Sequence, residues 1–135
     1  MDAQDALEFA RNNHRAVLHT FRADGTPQLS PVAVGILDDT IAVSTRETAM
    51  KAKNLARDPR ATVCMVNDEW FGDWMVVSGP CEIVHMPDAL EQLVEYYRGI
   101  QGEHPDWDEY RAAMIEQQRV VLRIRPERVG PTVAG

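Results

Sequence analysis

Residues 44–60 read S-T-R-E-T-A-M-K-A-K-N-L-A-R-D-P-R. Ser44 and Glu47 have capping-box spacing, which predicts a helix from about Thr45 to Arg57. Ala49, Ala52, Leu55 and Ala56 then share one face, small and apolar enough to sit close on a sheet. Asp58-Pro59 stops the helix. Five of the fourteen basic residues (Arg46, Lys51, Lys53, Arg57, Arg60) lie here against Glu47 and Asp58, giving the segment +3 in a chain of −7. A lone basic segment in an acidic chain points to a local anionic ligand. Free backbone N–H groups at the helix start favour a phosphate or carboxylate. The same pattern also fits an amphipathic helix with a solvated Lys/Arg face.

Upstream, 2–12 fits a short helix, 16–21 a strand, and Asp24-Gly25 a hairpin turn. Gln28 to Leu37 is extended, because Pro27 and Pro31 exclude helix. Asp38-Asp39 turns into a third strand, 41–44, and three strands joined by tight turns make an antiparallel meander. Downstream, 61–66 and 74–86 are Val- and Ile-rich strands. The loop between them brings Trp70, Phe71 and Trp74 together. A helix is expected from Pro87 to Arg98, broken by Gly99 and Gly102. Another follows from the Asp106/Glu109 cap to about Gln117, then a final strand, 119–124. Six short strands with helical insertions predict a mainly β fold with flanking helices, a small six-stranded antiparallel barrel. Its interior leaves little room for a ligand, so the site is expected outside, completed by a second subunit. Val32, Val34, Trp74 and Val76 are apolar positions left over for that contact.

At 135 residues, one domain over 1–135 is expected. No apolar stretch reaches the ~20 residues that span a bilayer. The first residues lack a basic region followed by an apolar one, so a cytoplasmic location and no membrane partner are expected. A pI of about 5.0 argues against nucleic acid as a partner. Cys64 and Cys81 read as free thiols, with a cross-strand disulfide as the alternative. The four histidines (His14, His19, His85, His104) have no metal-ligand spacing, so no metal is expected. No nucleophile motif or acid/base pair occurs and no catalytic residue is assigned, so an enzyme here would borrow its reactivity from a cofactor.

The layout D-G-x-P-Q-L-S-P-V, followed by S-T-x-x-x-x-x-K-x-x-N-L-x-x-D-P-R-A, resembles the pyridoxamine 5′-phosphate oxidase-like split-barrel superfamily. The stretch Y-Y-R-G-I-Q-G-E-H-P-D-W-D-E-Y-R-A-A-M is similar to its actinobacterial branch, which uses the deazaflavin coenzyme F420 in place of FMN. The resemblance runs from Leu7 to Val129. It implies a six-stranded split β-barrel, a homodimer, and a cofactor groove at the subunit interface. It places Gln28, Ser30 and Val32 along the cofactor ring and Ser44, Thr45 and Lys51 at the ribityl-phosphate end. Asn54 and Arg57 assist from the helix, and Trp74 reaches the cofactor across the dimer. Relatives commonly carry an Arg two residues before the helix lysine. This chain has Ala49 there, leaving Arg46 or Lys53 to compensate.

The resemblance implies an F420-dependent reductase passing a hydride to a small electron-poor substrate. The alternatives are an FMN-dependent oxidoreductase on the same fold and a non-catalytic cofactor carrier. Cations spread from Arg46 to Arg60 suit the long anionic tail of F420 better than the single phosphate of FMN.

Overall fold

The computed structural model describes residues 1–130; the end of the expected domain, 131–135, lies outside the described residues. Helix α1 (Ala3–Asn12) starts on a capping box, in which the Asp2 and Asp5 carboxylates each accept the other's backbone N–H at 3.0 Å. β1 (Arg15–Phe21) and β2 (Pro27–Ala33) form a hairpin around Gly25, whose φ of 85° suits glycine. β3 (Gly35–Leu37) and β4 (Thr40–Arg46) form a second hairpin, and α2 (Met50–Arg57) follows. Next come β5 (Arg60–Val66), the long β6 (Trp74–Val84), α3 (Ala89–Gln101), α4 (Trp107–Glu116), β7 (Arg119–Ile124) and β8 (Arg128–Val129).

The strands pair in the order β2-β1-β5-β6-β7-β4-β3, with β8 added on β6. β6 gives its first half, Trp74–Pro80, to β5 and its second half, Cys81–Val84, to β7. That handover curls the sheet into the two leaves of an antiparallel split barrel. Leu18, Val63, Met65 and Val77 from one leaf meet Ile41, Val43, Leu122 and Ile124 from the other in the main core. Ala6 and Ala10 of α1 and Ala52 and Leu55 of α2 close it. A smaller cluster seats α3 and α4 outside the β4–β7 leaf, through Leu93, Val94 and Tyr110 against Ala42 and Val121.

The fold class is the expected one, with eight strands among the described residues rather than six. The run expected as one strand breaks at Val34 into β2 and β3, and β8 forms past Pro126. The helix expected from Thr45 begins instead at Met50. Residues Ser44, Thr45 and Arg46 continue the ladder with β7, opposite Val121, Val120 and Arg119. Sheet pairing there outweighs the capping-box pattern, and α2 starts on Ala49 with no side-chain cap. Helix α3 runs through Gly99 and stops at Gly102, whose φ is 82°. Both cysteines are free, Cys81 buried and Cys64 half-buried.

Candidate functional site

Among the described residues β2 pairs only with β1, and β3 covers only Thr40–Ala42 of β4. The edges of β2 and of residues 43–46 therefore face each other unpaired, with Cα atoms of the two strands within 8 Å. The gap between them has its apex at Val34, where β2 gives way to β3 and β3 takes up pairing with β4. Tyr96 of α3 closes its apex: the hydroxyl donates to the Ala33 carbonyl at 2.7 Å and is met by the Ser44 backbone. Burial raises the Tyr96 pKa, so this phenol stays protonated and able to donate. Unpaired N–H and C=O groups along a strand edge need a partner. A flat heteroaromatic ring with carbonyl and N–H groups on its rim can supply one.

Gln28, Ser30 and Val32 alternate along β2 on its core-facing side, opposite Thr20, Leu18 and Ala16. The Ser30 Oγ is buried and has no hydrogen-bond partner among the described residues. A buried hydroxyl so placed costs free energy unless something else satisfies it. Val32 packs against the main core. Gln28 Oε1 accepts from the Thr20 hydroxyl at 3.1 Å, and Thr20 Oγ1 accepts from Asn54 Nδ2 at 3.1 Å. Asn54 Oδ1 in turn accepts from Arg57 Nη2 at 3.1 Å, and the same Nη2 donates to the Phe21 carbonyl at 2.7 Å. Thr20 and Asn54 are fully buried. Three of the expected residues, Gln28, Asn54 and Arg57, thus form one chain, with Asn54 inside the protein and not on a ligand surface.

Ser44 and Thr45 do not act as a pair. As neighbours in a strand they face opposite sides. Thr45 is buried and lies on the side of Ile41 and Val43; Ser44 faces the α3 side with Ala42. Lys51 stands in the first turn of α2, half-buried. Among the described residues, Arg46, Lys51 and Lys53 enter no ion pair. Arg60 is different: its guanidinium clamps Asp58 at 2.7 Å, holding that carboxyl down to about 2, and it stacks on the Phe21 ring at 4.2 Å. The +3 segment therefore presents three uncommitted cations close to where β4 ends and α2 begins.

Trp74 lies apart from these residues. It is opposite Val66 on the outer face, while its neighbour Met75 points into the core. Three strand steps separate it from β2, ~14 Å at the usual spacing. The outer face runs Leu29 and Pro31, Val17 and His19, Cys64 and Val66, then Trp74 and Val76 across β2, β1, β5 and β6. Leu29 is 62% and Val17 41% exposed. Of the four apolar positions expected to be left over, Trp74 and Val76 lie on this face. Val34 is fully buried and Val32 packs inward, so neither is available to a partner. The loop before Trp74 holds Trp70 and Phe71 out at 83% and 96% exposure.

Two residues that organise the cleft have no sequence signal. Thr20 sits in an unremarkable strand. Tyr96 falls on the predicted helix next to Tyr97, and only the fold brings it to the split.

A family model described as pyridoxamine 5′-phosphate oxidase matches residues 3–132. The F420H2-dependent biliverdin reductase of Mycobacterium tuberculosis is 29% identical over 131 residues, covering 94% of this chain and 85% of that protein. A conserved hypothetical protein of the same organism superposes with a TM-score of 0.78 at 25% identity, covering all of this chain and 93% of its own. A solved F420 reductase superposes at 0.72 with 18% identity, over 91% of this chain and 94% of that one.

Proposed function

The chain belongs to the pyridoxamine 5′-phosphate oxidase family, and from that premise we propose that it is an oxidoreductase that binds the deazaflavin F420 in the cleft between β2 and β4. The observation that carries this reading is the cleft itself: two unpaired strand edges and the orphaned Ser30 hydroxyl, next to three unpaired cations. The edges and Ser30 suit the rim of a flat ring. Arg46, Lys51 and Lys53 suit an anionic tail, and spread cations favour the several charges of the F420 tail over the single phosphate of FMN. The 29% identical reductase, named for its use of F420H2, adds support.

When bound in its reduced form, the deazaflavin supplies a hydride from its central ring carbon to an electron-poor double bond of a small conjugated substrate. The chain's own residues orient and hold. Tyr96 fixes the apex of the cleft, and the Thr20–Asn54–Arg57 chain fixes Gln28. Lys51 anchors the phosphate end. Among the described residues no side chain stands out as a general acid, and solvent suffices to deliver a proton after hydride transfer.

A second copy of the chain docks on the outer face in this proposal. An apolar strip from Leu29 to Val76 is costly to leave in water, and covering it lets the partner bring its Trp74 and its Trp70–Phe71 loop toward the cleft. FMN is the second reading, favoured by the family match alone.

The test is retention. Purified protein is incubated with oxidised F420 or FMN, desalted, and its absorbance recorded. F420 retained over FMN, together with turnover of an enone panel by reduced F420, is expected. Preferential retention of FMN replaces the proposal with the FMN reading; retention of F420 without any turnover leaves a carrier.

A further inference from the structure

The Arg57–Asn54–Thr20–Gln28 chain has a direction. A guanidinium only donates. Arg57 Nη2 at 3.1 Å from the Asn54 amide therefore fixes the carbonyl end of that amide toward itself. The Nδ2 end must then point to Thr20, 3.1 Å away. The Thr20 hydroxyl has one proton, it is shut off from water, and its acceptor among the described residues is the Gln28 side chain at 3.1 Å, so the proton goes there. Gln28 consequently turns its Oε1 inward. Its Nε2, which has no partner among the described residues, is what remains for the cleft. Thr20 and Asn54 are 0% and 1% exposed, so water does not compete to reverse the order.

We infer that Arg57, through Asn54 and Thr20, locks Gln28 as a hydrogen-bond donor, so that the cofactor-ring atom received beside Gln28 is an acceptor, a carbonyl oxygen or an unprotonated ring nitrogen. Gln28 contacts the ring; Thr20, Asn54 and Arg57 are positioning residues. The inference rests on the reading of the β2–β4 cleft as the cofactor site. The internal order of the chain is separable from that reading, because it exists without ligand.

Two measurements test the two parts. The first uses the free protein and follows the Gln28 side-chain NH2 by 15N NMR. In the native chain the Gln28 NH2 signals are expected to be displaced from those of a solvated primary amide, because Oε1 accepts from Thr20 and the amide is held in one place. Thr20→Val should move them to solvated-amide values, and Thr20→Ser should restore them. An unmoved Gln28 signal in Thr20→Val overturns the relay whatever binds in the cleft. Should Thr20→Val fail to fold, Arg57→Met carries the same test from the exposed end.

The second measurement is titration with oxidised F420 alone, with no substrate present. The Gln28 NH2 protons should shift on binding. Gln28→Leu, which removes the donor, should bind roughly three- to tenfold more weakly. Gln28→Glu still accepts from Thr20 but turns an oxygen toward the ring, and should lose more than Gln28→Leu does. Gln28→Glu binding as tightly as the native chain overturns the donor assignment. F420 binding with Gln28 unmoved overturns the contact. No binding of F420 or FMN at all sinks the cleft reading and this assignment with it, while the free-protein spectra still decide the relay.

Discussion

A Cβ placed on Gly79 would lie 1.7 Å from the carbonyl oxygen of Arg125. The contact is between backbones, and it marks where the segment leading to β8 crosses β6. Arg125 N–H donates to the Pro80 carbonyl and Glu127 N–H to the Ser78 carbonyl, both at 3.0 Å, so the crossing segment is held on either side of Gly79. Even alanine cannot fit without lifting that segment off. Gly79→Ala should lose roughly 3 kcal/mol of stability, at the upper end of overpacking effects. Urea unfolding should show it as a lower midpoint at unchanged slope.

The legible parts of the chain were those set by local rules. Asp24-Gly25 gave its hairpin, Asp58-Pro59 ended its helix, and Asp106 accepts the Glu109 N–H at 3.1 Å as its spacing predicts. The misread part was the start of α2. Ser44-x-x-Glu47 is a sound local signal, but β7 offers Thr45 and Arg46 a ladder, and that partner lies far along the sequence. The candidate site shows the same division. Lys51 and Gln28 were visible as types in a motif. Thr20 and Tyr96 were not, because each acquires its role from a contact made only on folding, Tyr96 from Ala33 across 63 residues.

Burial raises the thiols of Cys64 and Cys81 and the phenols of Tyr96 and Tyr110, and Cys81 and Tyr110 are the two shifted furthest. Burial pushes the Cys81 thiol up to about 12 and the Tyr110 phenol up to about 12, from ordinary values of 9.0 and 10.0. Tyr110 also donates to the Leu93 carbonyl at 3.0 Å. Each group holds its proton more tightly folded than unfolded, so above the ordinary value the unfolded chain binds fewer protons and gains. Stability should fall as pH rises from about 9 toward 12, with the Tyr110 contribution confined to about 10–12. Tyr110→Phe should flatten the slope of stability against pH in that upper window, read from urea midpoints at a series of pH values. A slope unchanged by the substitution would show that Tyr110 does not set it.

The proposed docking of a second copy on the outer face predicts a clean separation of assembly from folding. Val17 is 41% exposed, and its side chain points away from the core that Ala16 and Leu18 enter. Val17→Glu adds a charge that water solvates in the single chain and that a dry interface does not. Sedimentation should show the native chain as a dimer at micromolar concentration and Val17→Glu as a monomer, with unchanged circular dichroism. A monomeric native chain would remove the partner's Trp74 from the site.

Lys51 should account for much of the affinity for the cofactor tail, and for its dependence on salt. Of the five cations between Arg46 and Arg60, Arg60 is tied to Asp58 at 2.7 Å, and Arg57 is turned to the Phe21 carbonyl and Asn54. Arg46, Lys51 and Lys53 remain, and Lys51 is the half-buried one of the three. A partly desolvated ammonium against a phosphate is worth ~1.5–3 kcal/mol. Lys51→Ala should therefore bind F420 roughly ten- to hundredfold more weakly. It should unfold at the native midpoint, since Lys51 makes no side-chain hydrogen bond or ion pair among the described residues. The rest of the chain is acidic on balance, and these three cations are the ones proposed to attract the anionic tail. Ions screen exposed charges over ~8–10 Å near physiological strength. A tail of several charges loses more by that screening than a single phosphate, so F420 should bind more tightly than FMN and weaken more steeply with salt. Titrations of both cofactors at low and high salt, with native chain and Lys51→Ala, read all of this at once. Equal affinity in Lys51→Ala would make Lys51 a solvated surface residue, and tighter FMN binding at both salt levels would hand the cleft to FMN.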